Sequence, residues 1–274
     1  MSFATLIEAD AITPDMLIVD CSFDLGDPEA GRRAFAQGHI PGARYLHLDA
    51  DLSGPPSGSN GRHPLPDPEA FTATMRGIGL RKGQQVVAYD AQGGPYAARL
   101  WWLLRWAGHD KVAVLNGGLQ AWTGALESGT GEVAPGDFVA TAPARPTVDA
   151  DAVLANIAAP AFLVVDARTA ERWRGEANPM DPVAGHIPGS TNRFFKDNLG
   201  TDGRFKPAEQ LADEWRAVLG TTAPGNSVMQ CGSGVTACHN LLAMEIAGMG
   251  GARLYPGSWS EWIADPARPV AREI

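Results

Sequence analysis

Apolar residues in this chain fall into short unbroken runs separated by stretches of longer period. Met16-Leu17-Ile18-Val19-Asp20-Cys21, Val86-Val87-Ala88-Tyr89-Asp90, Val164-Val165-Asp166-Ala167 and Ser227-Val228-Met229-Gln230 are the clearest runs. Between them the spacing changes to three and four. Val235, Cys238, Leu242, Ile246 and Met249 mark one helical stripe, and Tyr96 to Ala107 forms another helix that stops at Gly108. Strands that are apolar throughout are covered on both faces, which is the mark of a parallel sheet between helices. The pattern predicts an α/β protein built on mainly parallel sheets with helices on both faces. Ligands in such open sheets sit at the carboxyl ends of the strands.

The pattern is written twice. The first copy runs Ile18-Val19-Asp20-Cys21, Gly38-His39-Ile40-Pro41-Gly42, Val86-Val87-Ala88-Tyr89-Asp90 and Asn116-Gly117-Gly118-Leu119-Gln120-Ala121-Trp122. The second runs Val164-Val165-Asp166-Ala167, Gly185-His186-Ile187-Pro188-Gly189, Val228-Met229-Gln230-Cys231 and Tyr255-Pro256-Gly257-Ser258-Trp259-Ser260-Glu261-Trp262. Four landmarks recurring in one order predict two similar domains. We expect them at residues 1–126 and 148–274, joined by a linker over Glu127 to Thr147, which is rich in Gly, Pro, Ala and Thr.

The copies differ at the end of the third landmark, where Cys231 answers to Asp90. Cys231 ends a strand, heads the loop Gly232-Ser233-Gly234-Val235-Thr236 and opens onto a helix. Loop N–H groups and the first orphan donors of the helix then converge on one point, where the helix dipole favours negative charge. Thiols so placed titrate at roughly 3.5–7.5 instead of about 8.5. Cys231 is therefore the expected nucleophile. Cys238 lies on the apolar stripe and Cys21 lacks such a loop, so both read as core. A carboxylate at Asp90 cannot serve as a sulfur nucleophile. The first copy is expected to be degenerate, with Asp90 capping its helix, and to close a cleft over the active copy.

Bulk properties narrow the chemistry further. The 274 residues, 45% of them apolar, fill two ordinary cores, and the net charge of −9 argues against a nucleic-acid partner. No secretion signal or membrane-spanning run is visible, and three cysteines suit a reducing compartment, so a cytoplasmic location is expected. Neither a metal-ligand spacing nor a nucleotide-binding glycine fingerprint is present, and the expected chemistry needs no cofactor.

The paired Gly-His-Ile-Pro-Gly segments, the Cys231-Gly232-Ser233-Gly234-Val235-Thr236 loop and the terminal Gly-Ser-Trp-Ser-Glu-Trp resemble the tandem-domain rhodanese family of sulfurtransferases, from about Leu17 to Trp262. The resemblance implies two rhodanese-like domains and a two-step reaction. Cys231 takes sulfur from a small anionic donor as a persulfide and passes it to a thiol acceptor, such as a thioredoxin-like protein or a low-molecular-weight thiol, or to cyanide. The uncharged loop looks like that of the 3-mercaptopyruvate branch, whereas the thiosulfate branch usually carries basic residues after the cysteine. Thiosulfate remains the alternative donor. The resemblance assigns donor binding to Arg172, to the loop residues Gly232 through Thr236, and to His39 as a proton source, with Ser233 polarising the donor. Arg168 is expected to pair with Asp166, and Arg174 to lie on a solvated face. One departure stands out. The branch often has a second arginine before Gly-His-Ile-Pro-Gly, and Asn178-Pro179-Met180-Asp181-Pro182-Val183-Ala184 contains none. Arg193, just after that motif, is a possible substitute.

Two other classes compete. A cysteine phosphatase needs an arginine six places after its cysteine to neutralise the phosphoryl group, and position 237 is alanine. A non-catalytic sulfur carrier or regulatory module would require Cys231 lost or its loop filled.

Overall fold

The computed structural model describes residues 2–129, 131–141, 144–177 and 180–272. The chain forms two compact units. The first takes in Met1–Gly54, Leu65–Arg145 and Thr201–Arg204, and the second Pro55–Pro64, Pro146–Gly200 and Phe205–Ile274. Ten residues that interrupt the first copy in sequence thus belong to the second unit. Of the stretch Glu127 to Thr147, the part up to Arg145 counts with the first unit. There Glu127 exchanges backbone hydrogen bonds with His39, and Arg76 Nε donates to Phe138 O at 2.6 Å.

The first unit contains β1 (Leu6–Ile7), β2 (Leu17–Asp20), α1 (Ala30–Gln37), β3 (Arg44–Tyr45), α2 (Leu48–Asp51), α3 (Pro68–Gly77), β4 (Val86–Tyr89), α4 (Pro95–Trp106) and β5 (Val112–Leu115). Its sheet has the order β1-β5-β4-β2-β3, and the pairs are parallel. Every residue of β2, β4 and β5 is buried, as continuous apolar strands require. Ile18, Val87, Tyr89, Ala113 and Leu115 join Phe35 of α1 in one cluster. Residues of the opposite parity, such as Val19, Ala88 and Val114, are equally buried, and α4 packs against β4 and β5.

The second unit contains α5 (Ala150–Ala158), β6 (Leu163–Asp166), α6 (Ala170–Arg174), β7 (Thr191–Asn192), α7 (Ala208–Leu219), β8 (Ser227–Gln230), α8 (Thr236–Ile246), β9 (Arg253–Leu254) and α9 (Ser258–Trp262). Its parallel sheet runs β7-β6-β8-β9, the order of β3-β2-β4-β5 in the first unit. Val164 and Val228 pack with Val153 of α5 and with Trp259 and Trp262 of α9, while α8 covers β8 and packs on α7. Each unit is the helix-covered parallel sheet that the apolar runs predict. Cys231 follows the carboxyl end of β8, and Asp90 that of β4. Among the described residues no helix is long and apolar enough to cross a membrane.

Candidate active site

The site is built where β8 ends. Cys231 is almost fully buried, and its Sγ accepts the N–H of Gly234 at 3.1 Å and of Ser233 at 3.4 Å. The loop can curl this tightly because Gly234 has φ +78°, and a Cβ there would collide with the carbonyl oxygen of Pro256. α8 begins at Thr236, directly after the buried Val235, so a helix N-terminus stands behind the sulfur.

The Gly-Ser-Trp-Ser-Glu-Trp motif clamps this loop from α9. Ser258 Oγ accepts the N–H of Cys231 at 3.1 Å and donates to Tyr255 O at 2.9 Å. Trp259 N donates to Cys231 O and Ser260 N to Gly232 O, both at 3.0 Å. Ser258 adopts φ +53°, a conformation that typically costs a non-glycine residue about 1–3 kcal/mol. The fully buried Trp259 and Trp262 anchor the clamp through N–H bonds to Val183 O and Pro269 O. The motif is structural support for the loop's first two peptide units.

Two guanidiniums reach this loop from distant parts of the chain. Thr169 caps α6 and sets Arg172 on its last turn, where Nη2 donates to Asp181 Oδ2 at 2.7 Å. Arg62 bonds the other carboxylate oxygen of Asp181 through Nη1, and its backbone N–H is held by Ser260 Oγ at 3.0 Å. Both guanidiniums press on the catalytic loop: a Cβ on Gly232 would meet Arg62 Nη2 at 2.9 Å and Arg172 Nη2 at 3.4 Å. The second guanidinium at Gly232 thus comes from position 62 and not from the segment before Gly-His-Ile-Pro-Gly. Asn178 and Pro179 of that segment lie outside the described residues. Arg193 is no substitute. It is committed to Glu214 and to Asp197 O, and it lies over the Trp215 ring.

Ser233 Oγ lies 2.7 Å from His63 Nδ1, and both residues are buried. His39 belongs to the first unit, where its Nδ1 contacts Phe35 O at 2.7 Å, its Nε2 contacts the Glu127 carboxylate at 3.3 Å and its ring stacks on Phe35. Its twin His186 does the same work, with Nδ1 on Trp173 O at 2.8 Å and its ring stacked on Trp173. Both histidines fix the turn of their motif. Arg168 forms a buried pair with Asp166 (2.7 Å) beneath the Trp259 ring, and Arg174 pairs with Glu176 at the surface.

The matching loop of the first unit is occupied by its own side chain. Asp90 is fully buried, with Oδ1 accepting from Gln92 N and Gly94 N and Oδ2 from Tyr96 N and Ala97 N, all at 2.8–3.0 Å. Burial pushes this carboxyl upward against the pull of those four bonds.

The rhodanese-like domain model matches twice, over residues 3–125 and 149–265. The chain belongs to the rhodanese family. A Pseudomonas aeruginosa protein named as a probable 3-mercaptopyruvate sulfurtransferase is 48% identical over 99% of this chain and 99% of its own. SseB of Mycobacterium tuberculosis, named instead for thiosulfate sulfurtransfer, is 40% identical over 93% of this chain and 90% of its own. Among solved structures, the 3-mercaptopyruvate sulfurtransferase from Leishmania major superposes with a TM-score of 0.84 at 30% identity, covering 97% of this chain and 75% of that one. This rhodanese-family chain is a sulfurtransferase.

The resemblance named Cys231, Arg172 and Ser233 in advance, and the structure brings the three together at one loop. The resemblance did not point to Arg62, His63 or Asp181. The only local hint was the placing of Arg62 and His63 directly after the turn-rich Pro55-Pro56-Ser57-Gly58-Ser59-Asn60-Gly61.

Proposed function

We propose that this protein is a 3-mercaptopyruvate sulfurtransferase. Arg62 and Arg172 hold the donor's carboxylate beside Gly232, with its sulfur facing Cys231. The Cys231 thiolate attacks that sulfur and forms an S–S bond. The carbon–sulfur bond breaks, and its electron pair passes to carbon as the enolate of pyruvate. The donor's thiol proton moves through the Ser233 hydroxyl to the His63 ring and returns to the carbon, which releases pyruvate. Loop N–H groups stabilise negative charge on sulfur before and after the transfer, and the covalent intermediate divides one difficult exchange into two easier ones. An acceptor thiol then attacks the outer sulfur and frees Cys231. Low-molecular-weight thiols, a thioredoxin-like protein or cyanide would serve as acceptors, and the three free cysteines fit a reducing cytoplasm.

The observation that supports this donor most is the pair of guanidiniums against Gly232, because a planar carboxylate suits bidentate capture. The same two cations also support thiosulfate as the donor, in line with the name of the mycobacterial relative. Steady-state kinetics with both donors separates the readings. Pyruvate release with kcat/KM well above that of thiocyanate formation from thiosulfate and cyanide is expected, and the reverse order would replace mercaptopyruvate by thiosulfate. A persulfide on Cys231 with turnover in neither assay would mark a sulfur carrier.

A further inference from the structure

Asp181 is a carboxylate at a place where an anionic donor has to bind. Its side chain is 0% exposed, and its two oxygens are divided between the guanidiniums of Arg62 and Arg172. A carboxylate this deep needs paired cations to offset its lost hydration, and both arginines provide them. The arginines are not consumed by the pairing. Arg62 Nη2 lies 2.9 Å and Arg172 Nη1 4.0 Å from where a Cβ on Gly232 would stand, and among the described residues the Nε of each is buried with no hydrogen-bond partner. Two guanidiniums and one carboxylate leave the group with a single positive charge. The other nearby cation of α6 adds nothing, since Arg174 turns to Glu176 at the surface.

We propose that Asp181 sets the charge preference of the donor pocket. It cancels one of two positive charges and thereby favours donors with one carboxylate over dianionic sulfur donors. Specificity here is a difference between two affinities, and a fixed like charge is a direct way to penalise the more highly charged competitor. The inference rests on the sulfur-transfer reading of the site but not on which donor is physiological.

The test is Asp181→Asn, which keeps the side chain's shape and one oxygen acceptor. Relative to the native enzyme, the ratio of kcat/KM for thiosulfate to that for mercaptopyruvate should rise about tenfold, with thiosulfate use becoming more sensitive to salt. A second readout needs no sulfur donor. The rate of Cys231 alkylation by iodoacetate, relative to neutral iodoacetamide, should rise about three- to tenfold. A folded variant with both ratios unchanged or lowered would overturn the proposal. If Asp181→Asn fails to fold, Arg62→Gln decides. Removing one cation leaves Arg172 and Asp181 to cancel, so the iodoacetate preference should disappear; a preference that survived, reduced but clearly above that of a neutral pocket, would show that Asp181 does not count in the pocket's charge. A native enzyme that released no pyruvate would overturn the mercaptopyruvate reading and leave the alkylation result standing.

Discussion

The loops after β4 and β8 are the same strand–loop–helix turn with different occupants. Asp90 fills its own cradle: one carboxylate oxygen takes two loop N–H groups, and the other takes two N–H groups at the start of α4. Cys231 takes the N–H groups of Ser233 and Gly234 with a side chain one bond shorter. A persulfide adds one atom to Cys231. Its outer sulfur then stands as far along the side chain as the Asp90 oxygens do. The first unit therefore holds, in the Asp90 carboxyl group, acceptor atoms at the reach that a persulfide on Cys231 would have. The two loops differ in the atom after Cβ and in the two guanidiniums at Gly232.

Cys231→Ser breaks the comparison most severely. Loss of more than about a thousandfold in sulfur transfer is expected, with unfolding little changed. The double variant Asp90→Cys/Cys231→Ser should be equally inactive in the pyruvate assay. Recovered turnover would mean that the turn alone suffices and that the arginines are dispensable.

Arg172→Leu should lower kcat/KM for mercaptopyruvate by about a hundredfold, because it strips the donor of one guanidinium and leaves Asp181 short of a partner. Unchanged kinetic constants would remove Arg172 from the pocket. Asp90→Asn acts on stability instead. It exchanges an acceptor of four N–H bonds for an amide that accepts fewer, at a cost of about 1–3 kcal/mol in chemical denaturation. A change below about 0.5 kcal/mol would show that the first cradle is not held by its carboxylate.

These outcomes also bear on what could be read from residues alone. The repeat was legible because each strand is buried on both faces and therefore apolar throughout, as in β2 and β4. Cys231 was legible because a glycine loop and a helix start are local features. Arg62, His63 and Asp181 were not, because they meet the loop through tertiary packing from segments that carry no periodic signal. His39 was named on its motif alone. That motif marks a turn, and within the first unit the ring is engaged by the backbone of α1.

The smallest effect lies away from both loops. Burial opposes ionisation of Glu214, but hydrogen bonds from Arg193, Lys206 and Gln210 prevail and hold its carboxyl at about 2. A carboxyl depressed on folding stabilises above its ordinary value of 4.5 and loses that contribution as pH falls toward 2. Glu214→Gln should flatten the acid side of the stability curve in that window, as read by melting temperature against pH. An unaltered slope would place the acid sensitivity elsewhere.

The most direct measurement is a single turnover with mercaptopyruvate and no acceptor, followed by peptide mass analysis. The account predicts one added sulfur atom on the peptide containing Cys231, released by thiol, with Cys21 and Cys238 unmodified. Pyruvate formed without that adduct, or sulfur found on either of the other cysteines, would contradict it.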